Sequence, residues 1–342
     1  MKILSLIVPS YNSEAFLDRC IPSFLEESVL DLLDIIIVND GSTDNTADVA
    51  QKYCQIYPNS IRLISQENKG HGGALNTGFA AAAGKYFKPI DADDWIETEN
   101  LPAFIRFLES CDSDVILTHY HMVDISNGEI TKMKSYPAEF GYPITMDSFM
   151  EQWRNFYRAA TFHGITYHTE FYRKHNNKLT EHVFYEDNEY AVIPFCYANT
   201  ITPVDLFLYD YRVGDVNQSI SITNQVKRLS HIKTVIDRLT QVYCQLPDCA
   251  GKQYAAMKTQ AVGMMYLTTA LLAHPDKKLG RKLAASQMDV FHRDAPMIHR
   301  MLVRKYQVYQ LLSWFHVRKE SWDNFLKSDI YNRLRHNHDF QS

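Results

Sequence analysis

The first apolar run of this 342-residue chain is not followed by a Gly-x-Gly-x-x-Gly turn. It ends instead in Pro9-Ser10-Tyr11-Asn12, which disfavours a dinucleotide fold built on that turn. Gly-Lys-Ser/Thr occurs nowhere, so a P-loop is excluded. The six cysteines, at 20, 54, 111, 196, 244 and 249, form no C-x-x-C pair, which predicts reduced thiols in a reducing compartment. Long hydrophobic runs are absent. Residues 3–8 are too short for a signal-peptide core, and the longest apolar helix candidate, 262–273, falls far short of the ~20 residues that cross a bilayer. A cytoplasmic protein is expected, touching a membrane from the inner face if at all. Net charge is only −5, so nucleic acid is not an expected partner. Hydrophobic content of 46% supplies ample core, and the length predicts about two domains.

The first 125 residues alternate two periodicities. Apolar runs at 3–8, 34–38, 61–64, 86–90 and 114–118 read as strands, and the first is continuous enough to be covered on both faces. Helical spacing fills 13–25, 44–57, 72–83 and 97–108. Pro22 is expected to end or kink the first helix and Gly84 to stop the third. This β-α-β-α order predicts an α/β fold with a mostly parallel, Rossmann-like sheet flanked by helices. Beyond about residue 120 the pattern loosens. Asn127-Gly128 reads as a hairpin turn, 136–142 as an aromatic loop and 200–212 as a strand. After about 224 the chain reads as helical, over 225–246, 252–273, 277–292, 296–315 and 320–335. A domain change is placed near 222, separating 1–222 from an all-helical 223–342.

Chemistry collects where strands end. The run 86–90 leads into Asp91-Ala92-Asp93-Asp94-Trp95. Three adjacent carboxylates repel and lose hydration, so folding gains nothing from them. A divalent cation bound to a phosphorylated ligand would explain them, because hard cations favour carboxylate and phosphate oxygens. A solvated helix cap is the bland alternative. The second strand runs into Asn39-Asp40-Gly41-Ser42, where Asp40 can accept a hydrogen bond from a nucleobase imide. The third leads to Asn68-Lys69-Gly70-His71-Gly72-Gly73, whose glycines let backbone N–H groups approach a phosphate. In a parallel sheet these ends lie along one edge, where open α/β sheets place ligands.

Together these blocks resemble the family-two glycosyltransferases, nucleotide-sugar enzymes with the GT-A fold. The resemblance covers about 1–222 and rests on residues 7–17, 35–46, 68–78 and 84–95. Phe184-Tyr185-Glu186-Asp187 and Leu208-Tyr209-Asp210-Tyr211-Arg212, followed by Ser219 and Ser221, extend it. It implies a nucleotide-binding half at about 1–118 and an acceptor half at about 119–222. Pro9, Tyr11 and Asp40 would grip the base, usually uracil. Asn12, Lys69, Gly72, Asn76, Ala92 and Arg212 would complete the donor site. Asp91 would face ribose and diphosphate, and Asp91 and Asp93 would hold Mg²⁺ or Mn²⁺. Asp187 would act as base in an inverting transfer, ahead of its rival Glu186; without the resemblance, either carboxylate is better read as a cap of the next helix. Trp95 is expected under the acidic loop. Leu75 departs from the family, which often has Arg there, leaving Lys69, His71 or Arg212 to supply positive charge. His163 and His182 fall on the acceptor side. Tyr120, Tyr136, Tyr142 and Trp153 fit either a sugar-stacking floor or core packing.

The implied partners are a nucleotide-sugar donor, UDP-linked by family habit, and a glycan, lipid-linked or protein-linked acceptor. From Lys277 onward 13 Lys and Arg face 6 Asp and Glu, leaving −12 on the rest. Basic residues beside Trp314 and Phe315 fit contact with an anionic leaflet and fit a homodimer face equally. Two rival readings are a nucleotidyltransferase, which the missing glycine-rich first turn opposes, and a non-catalytic sugar-nucleotide scaffold, which intact Asp91, Asp93 and Asp187 oppose.

Overall fold

The computed structural model describes residues 1–175, 177–215 and 221–327. Its strands are β1 (Leu4–Ser10), β2 (Leu33–Asp40), β3 (Ile61–Gln66), β4 (Tyr86–Pro89), β5 (Trp95–Ile96), β6 (Val115–Asp124), β7 (Ile130–Met133), β8 (Ile165–His168) and β9 (Ile201–Val213). Among the described residues these form one sheet in the order β3-β2-β1-β4-β8-β6-β9-β5, with β7 on β6. Pairing among β1 to β4 is parallel, as expected from the alternating order. Its register sets Ser10 beside Asn39, Asp40 beside Gln66, and Ile7 beside Pro89. The chemistry-bearing turns therefore leave the sheet side by side. Beyond β4 the sheet is mixed. β8 runs antiparallel to β4 and β6, β9 parallel to β6, and β5 antiparallel to β9. The Asn127-Gly128 turn, with Gly128 at φ +75°, closes the antiparallel β6–β7 hairpin.

The helices of this part are α1 (Glu14–Cys20), α2 (Thr46–Ile56), α3 (Gly70–Ala81), α4 (Leu101–Ser110), α5 (Met146–Glu151), α6 (Trp153–Phe156), α7 (Thr169–Lys174) and α8 (Asp187–Val192). Pro22 acts as expected, converting the end of the first helix into a 3₁₀ turn, Ile21–Phe24. The helix expected from 97 begins later, at Leu101. Trp95–Ile96 is taken up as an edge strand on β9, and Pro102 sits in the helix's first turn.

Leu6, Val8, Ile35 and Ile37 form one apolar cluster with Leu17, Phe24, Phe104 and Leu108. Each such side chain contributes about 1.5–3 kcal/mol by leaving water. On the opposite face α3 packs on β1 and β2. A Cβ at Gly78 would stand 2.2 Å from Ile7 Cγ2. Gly78→Ala is therefore expected to destabilise by about 1–3 kcal/mol, although alanine is the better helix former. The urea midpoint measures the outcome, and a rise would show that Ile7 yields freely.

The chain divides into two compact units, Met1–Gln218 with Leu246–Ala255, and Ser219–Gln245 with Ala256–Ser342. In the first, Tyr254 stacks on Phe195 and meets Phe149 and Trp153 edge-on. The second is helical: α9 (Ile222–Lys227), α10 (Leu229–Gln245), most of α11 (Ala250–Thr268), a π turn (Thr269–Ala273), α12 (Lys277–Asp294), α13 (Pro296–Trp314) and α14 (Lys319–Lys327). Residues 328–335 of the last expected helix, and Ser219, lie outside the described residues. Among the described residues no helix is long and apolar enough to cross a membrane. All six cysteines are free thiols.

Candidate active site

β1 and β2 end at a shared rim. Asn12, at φ +49°, accepts the Thr43 N–H on Oδ1 at 2.8 Å, and its own N–H donates to Ser42 Oγ at 3.0 Å. It ties the two turns together. Asp40 is 1% exposed. Its Oδ1 accepts from Gln66 Nε2 at 2.7 Å and from the Lys69 N–H at 2.9 Å. Its Oδ2 is buried without a partner among the described residues. Such an oxygen is costly unless a ligand N–H completes it. Asp40 is one of the residues lining a cavity of about 330 Å³, with Pro9, Tyr11, His71, His182 and Phe184 among the others. A larger depression, about 640 Å³, lies along α2 between Glu14 and Gln55, away from these groups.

The acidic turn after β4 sends its carboxylates three ways. Asp91 Oδ1 lies 2.8 Å from His71 Nε2, and His71 Nδ1 lies 2.5 Å from Glu186 Oε1. One imidazole thus bridges two carboxylates. Burial works against charge on His71, but Asp91 and Glu186 outweigh it and raise its pKa well above the usual value. Burial likewise opposes ionisation of Asp91, and the adjacent His71 reverses this and holds Asp91 low. Asp93 meets Arg212 at 3.5 Å; burial and then Asp91 push its pKa up. Asp94 is buried, accepting the Tyr209 hydroxyl at 2.5 Å and the Arg212 N–H at 2.7 Å. Asp94 is thus a brace for the turn.

A cation fits here by the chemistry of the donors. Atoms of Asp91, Asp94 and His163 lie within 4.8 Å of one another. His163 Nδ1 is buried with no partner among the described residues, and burial lowers this ring's pKa to about 4, leaving it neutral and able to ligate. Asp93 is not part of that trio. A second trio, Glu97, His121 and Asp210, is closed by its own contact, His121 Nδ1 to Asp210 Oδ1 at 2.8 Å.

Asp187 opens α8 and keeps one edge open to solvent. Burial, then repulsion from Glu186, raises its pKa to about 7, with Asp91 adding to the repulsion and His71 opposing it. Asn188 Nδ2 donates to its Oδ1 at 3.1 Å. The preceding loop carries His182 at φ +57° and Tyr185 at φ +74°, conformations uncommon for residues other than glycine.

Pro9, Tyr11, Asp40, Asp91, Ala92, Asp93, Asp187 and Arg212 thus gather at one rim. Other expected donor contacts do different work. Asn76 bonds both the N–H and the C=O of Leu179, at 2.8 and 2.9 Å, because its amide mimics a strand partner. Gly72 leaves room for Thr180 O, which would lie 2.5 Å from a Cβ there. Lys69 serves Asp40 through its backbone, and its side chain is exposed. Trp95 lies under the Arg19 guanidinium, 3.3 Å from the ring centroid. Of the aromatic floor, Tyr120 is buried, Trp153 packs on Phe149, and Tyr136 and Tyr142 are exposed. Two further residues enter the site: Glu186, which the sequence offers only as a helix cap or rival base, and Tyr209. Period-2 alternation in β9, which puts Tyr209 and Tyr211 on one face, was the available signal for the latter.

Residues 5–178, half of the chain, match the sequence model of the family described as Glycosyl transferase family 2. The chain belongs to that family. Among curated relatives of this glycosyl transferase family 2 chain is the putative glycosyltransferase EpsH of Bacillus subtilis. It is 29% identical over 228 residues, covering 61% of this chain and 60% of the relative. Across three such relatives the match spans only 38% to 60% of their own length. The crystal structure of S. aureus TarS 1–349 in complex with UDP-GlcNAc shares the fold, with a TM-score of 0.66 at 18% identity. The likeness covers 92% of this chain and 89% of that one. The Pyrobaculum calidifontis mannosyltransferase PcManGT, in complex with GDP-Man and Mn²⁺, gives 0.50 at 15% identity, covering 90% and 86%. The fold is GT-A, as the strand-end motifs implied.

Proposed function

We propose that this family-two chain transfers a sugar from a UDP-linked donor to a hydroxyl of a glycan, glycolipid or glycoprotein, inverting the anomeric centre. The observation carrying this reading is a convergence: the buried, unpartnered Asp40 Oδ2, the Asp91 turn joined to Glu186 through His71, and Asp187 next to Glu186 at the start of α8. Burial and Glu186 also raise the Asp187 carboxyl to about 7. A base poised near neutrality can take a hydroxyl proton and still ionise in the resting site. The acceptor oxygen attacks C1, forming the new glycosidic bond while the bond from C1 to the diphosphate oxygen breaks. The hydroxyl proton passes to Asp187, and the electron pair leaves on the nucleoside diphosphate. Attack opposite the leaving group inverts C1.

In this reading residues 1–118 hold the nucleotide and 119–222 the acceptor. Asp40 Oδ2 accepts the uracil imide N–H, and Tyr11 covers the base. Both oxygens of Asp94 already accept hydrogen bonds, from Tyr209 and the Arg212 N–H, so Asp91 and the half-exposed Asp93 would hold Mg²⁺ or Mn²⁺, which when bound supplies positive charge to the departing diphosphate. Arg212 sits beside Asp93 and His71 beside Asp91, the positions left to them by Leu75, which is buried. The TarS complex with UDP-GlcNAc supports a uridine donor.

Release of nucleoside diphosphate from a panel of UDP- and GDP-sugars tests the donor. UDP-sugars are expected to turn over and GDP-sugars not to. Asp40→Ala should weaken UDP binding about 10- to 150-fold, the loss of one hydrogen bond to a charged acceptor. Equal binding of UDP and GDP, or unchanged binding in Asp40→Ala, would overturn the base assignment.

A further inference from the structure

The helical unit carries a surface that contains none of the candidate site residues. Residues 295–319 contain five Lys or Arg and no Asp or Glu. They form α13 and the turn after it. At 3.6 residues per turn, Ile298, Leu302 and Ser313 fall on one side of α13, and all three are buried. Arg300, Arg304, Val308, Leu311, Trp314 and Phe315 fall on the opposite side, and all are exposed. Leu311 is 59% exposed, Trp314 64% and Phe315 75%. Large apolar side chains that open to water, all at one end of one helix face, cost solvation and mark a contact surface.

Charge identifies the occupant. The Arg281 guanidinium lies 4.3 Å from the Trp314 ring centroid, and Arg304 and Arg318 are exposed. Beyond Phe315 a cleft of about 460 Å³ is lined by His274, Lys277, His316, Arg318 and Lys319, among others. Lys277 and Lys319 are the first residues of α12 and α14, so two positive helix ends add to the cations there. The carboxylates at that end are Asp276, which caps α12, Glu320, and Asp323, which pairs Lys319 at 2.5 Å. Arg318 has no ion pair among the described residues. Burial, Arg281 and Arg318 depress Lys277, a strain that a nearby anion relieves.

From this juxtaposition we infer that the α13 face, with the basic cleft at its carboxyl end, docks on an anionic lipid bilayer. Trp314, Phe315 and Leu311 enter the headgroup boundary while Arg281, Arg304 and Arg318 meet lipid phosphates. A soluble anion would have no use for the apolar stripe, and a second copy of this face would bring arginine against arginine.

Co-sedimentation of the full chain with vesicles tests this directly. Phosphatidylcholine vesicles containing a minority of phosphatidylglycerol should bind the protein, phosphatidylcholine alone should bind far less, and high salt should release it. Each arginine removed, as in Arg304→Gln or Arg318→Gln, should weaken binding about fivefold. Leu311→Ser and Trp314→Ser should weaken it at unchanged melting temperature, and Val308→Gln provides a second apolar variant should either melt early. Equal binding to both vesicle types, or none to either, would overturn the inference. So would a dimer in vesicle-free sedimentation that these substitutions dissociate, or inorganic phosphate binding at the cleft with no vesicle binding. None of these outcomes bears on Asp187 chemistry, so this proposal and the catalytic one fail separately.

Discussion

Asp187→Asn should lower the rate of nucleoside diphosphate release with acceptor present by about 10²–10⁴-fold, the usual contribution of a positioned general base. Donor affinity should stay within a few-fold, since Asp187 opens α8 and is not among the residues lining the Asp40 cavity. The pH profile adds a second readout. In the proposed role the working form is the ionised carboxylate, whose pKa is raised to about 7. Turnover should therefore be lost as pH falls through about 7, roughly tenfold per unit, and level off above it. Asp187→Asn should abolish that slope. A residual slope of the same midpoint in the variant, or full activity without the carboxylate, would assign the base elsewhere, with Glu186 the nearest rival.

Asp93→Ala carries the second large effect. Asp93 is half-exposed and its strongest contact is Arg212 at 3.5 Å, so its removal should leave the melting temperature nearly unchanged. Donor binding that depends on Mn²⁺ should fall by about three orders of magnitude, in keeping with several kcal/mol of charge stabilisation from a bound cation. Calorimetry with UDP, in the presence of Mn²⁺ and again with chelator, measures it. The variant with Mn²⁺ should bind UDP as weakly as the chelated wild type. Asp94→Ala makes the contrasting control, because Asp94 is buried against Tyr209 and the Arg212 backbone. It should lower stability as well as binding. If Asp93→Ala retains metal-dependent binding, the ligands are Asp91, Asp94 and His163, the trio whose atoms already converge.

The rim at the ends of β1, β2 and β4 could be read from sequence because each piece is local. An unbroken apolar run fixes a two-sided buried strand, and the polar residue ending it, Tyr11, Asp40 or Asp91, must emerge at the sheet's edge. Parallel register then sets those ends beside one another. What escaped the sequence depends on contacts across long separations. Glu186 reads as a helix cap until His71, 115 residues earlier, is seen bonded to it. Asn76 reads as a donor ligand until its amide is found on Leu179, 103 residues later. The mixed half of the sheet escaped for a related reason. β6 and β9 are adjacent and parallel but separated by β7, β8 and four short helices, and no local periodicity encodes that neighbour choice.

The two hydrogen bonds from Asn76 to Leu179, and the bare Gly72 on which Thr180 rests, give α3 custody of the segment that delivers Asp187. A segment of different sequence spliced in at 179–187 should keep its seat on α3 only where it still offers a free peptide unit to that amide.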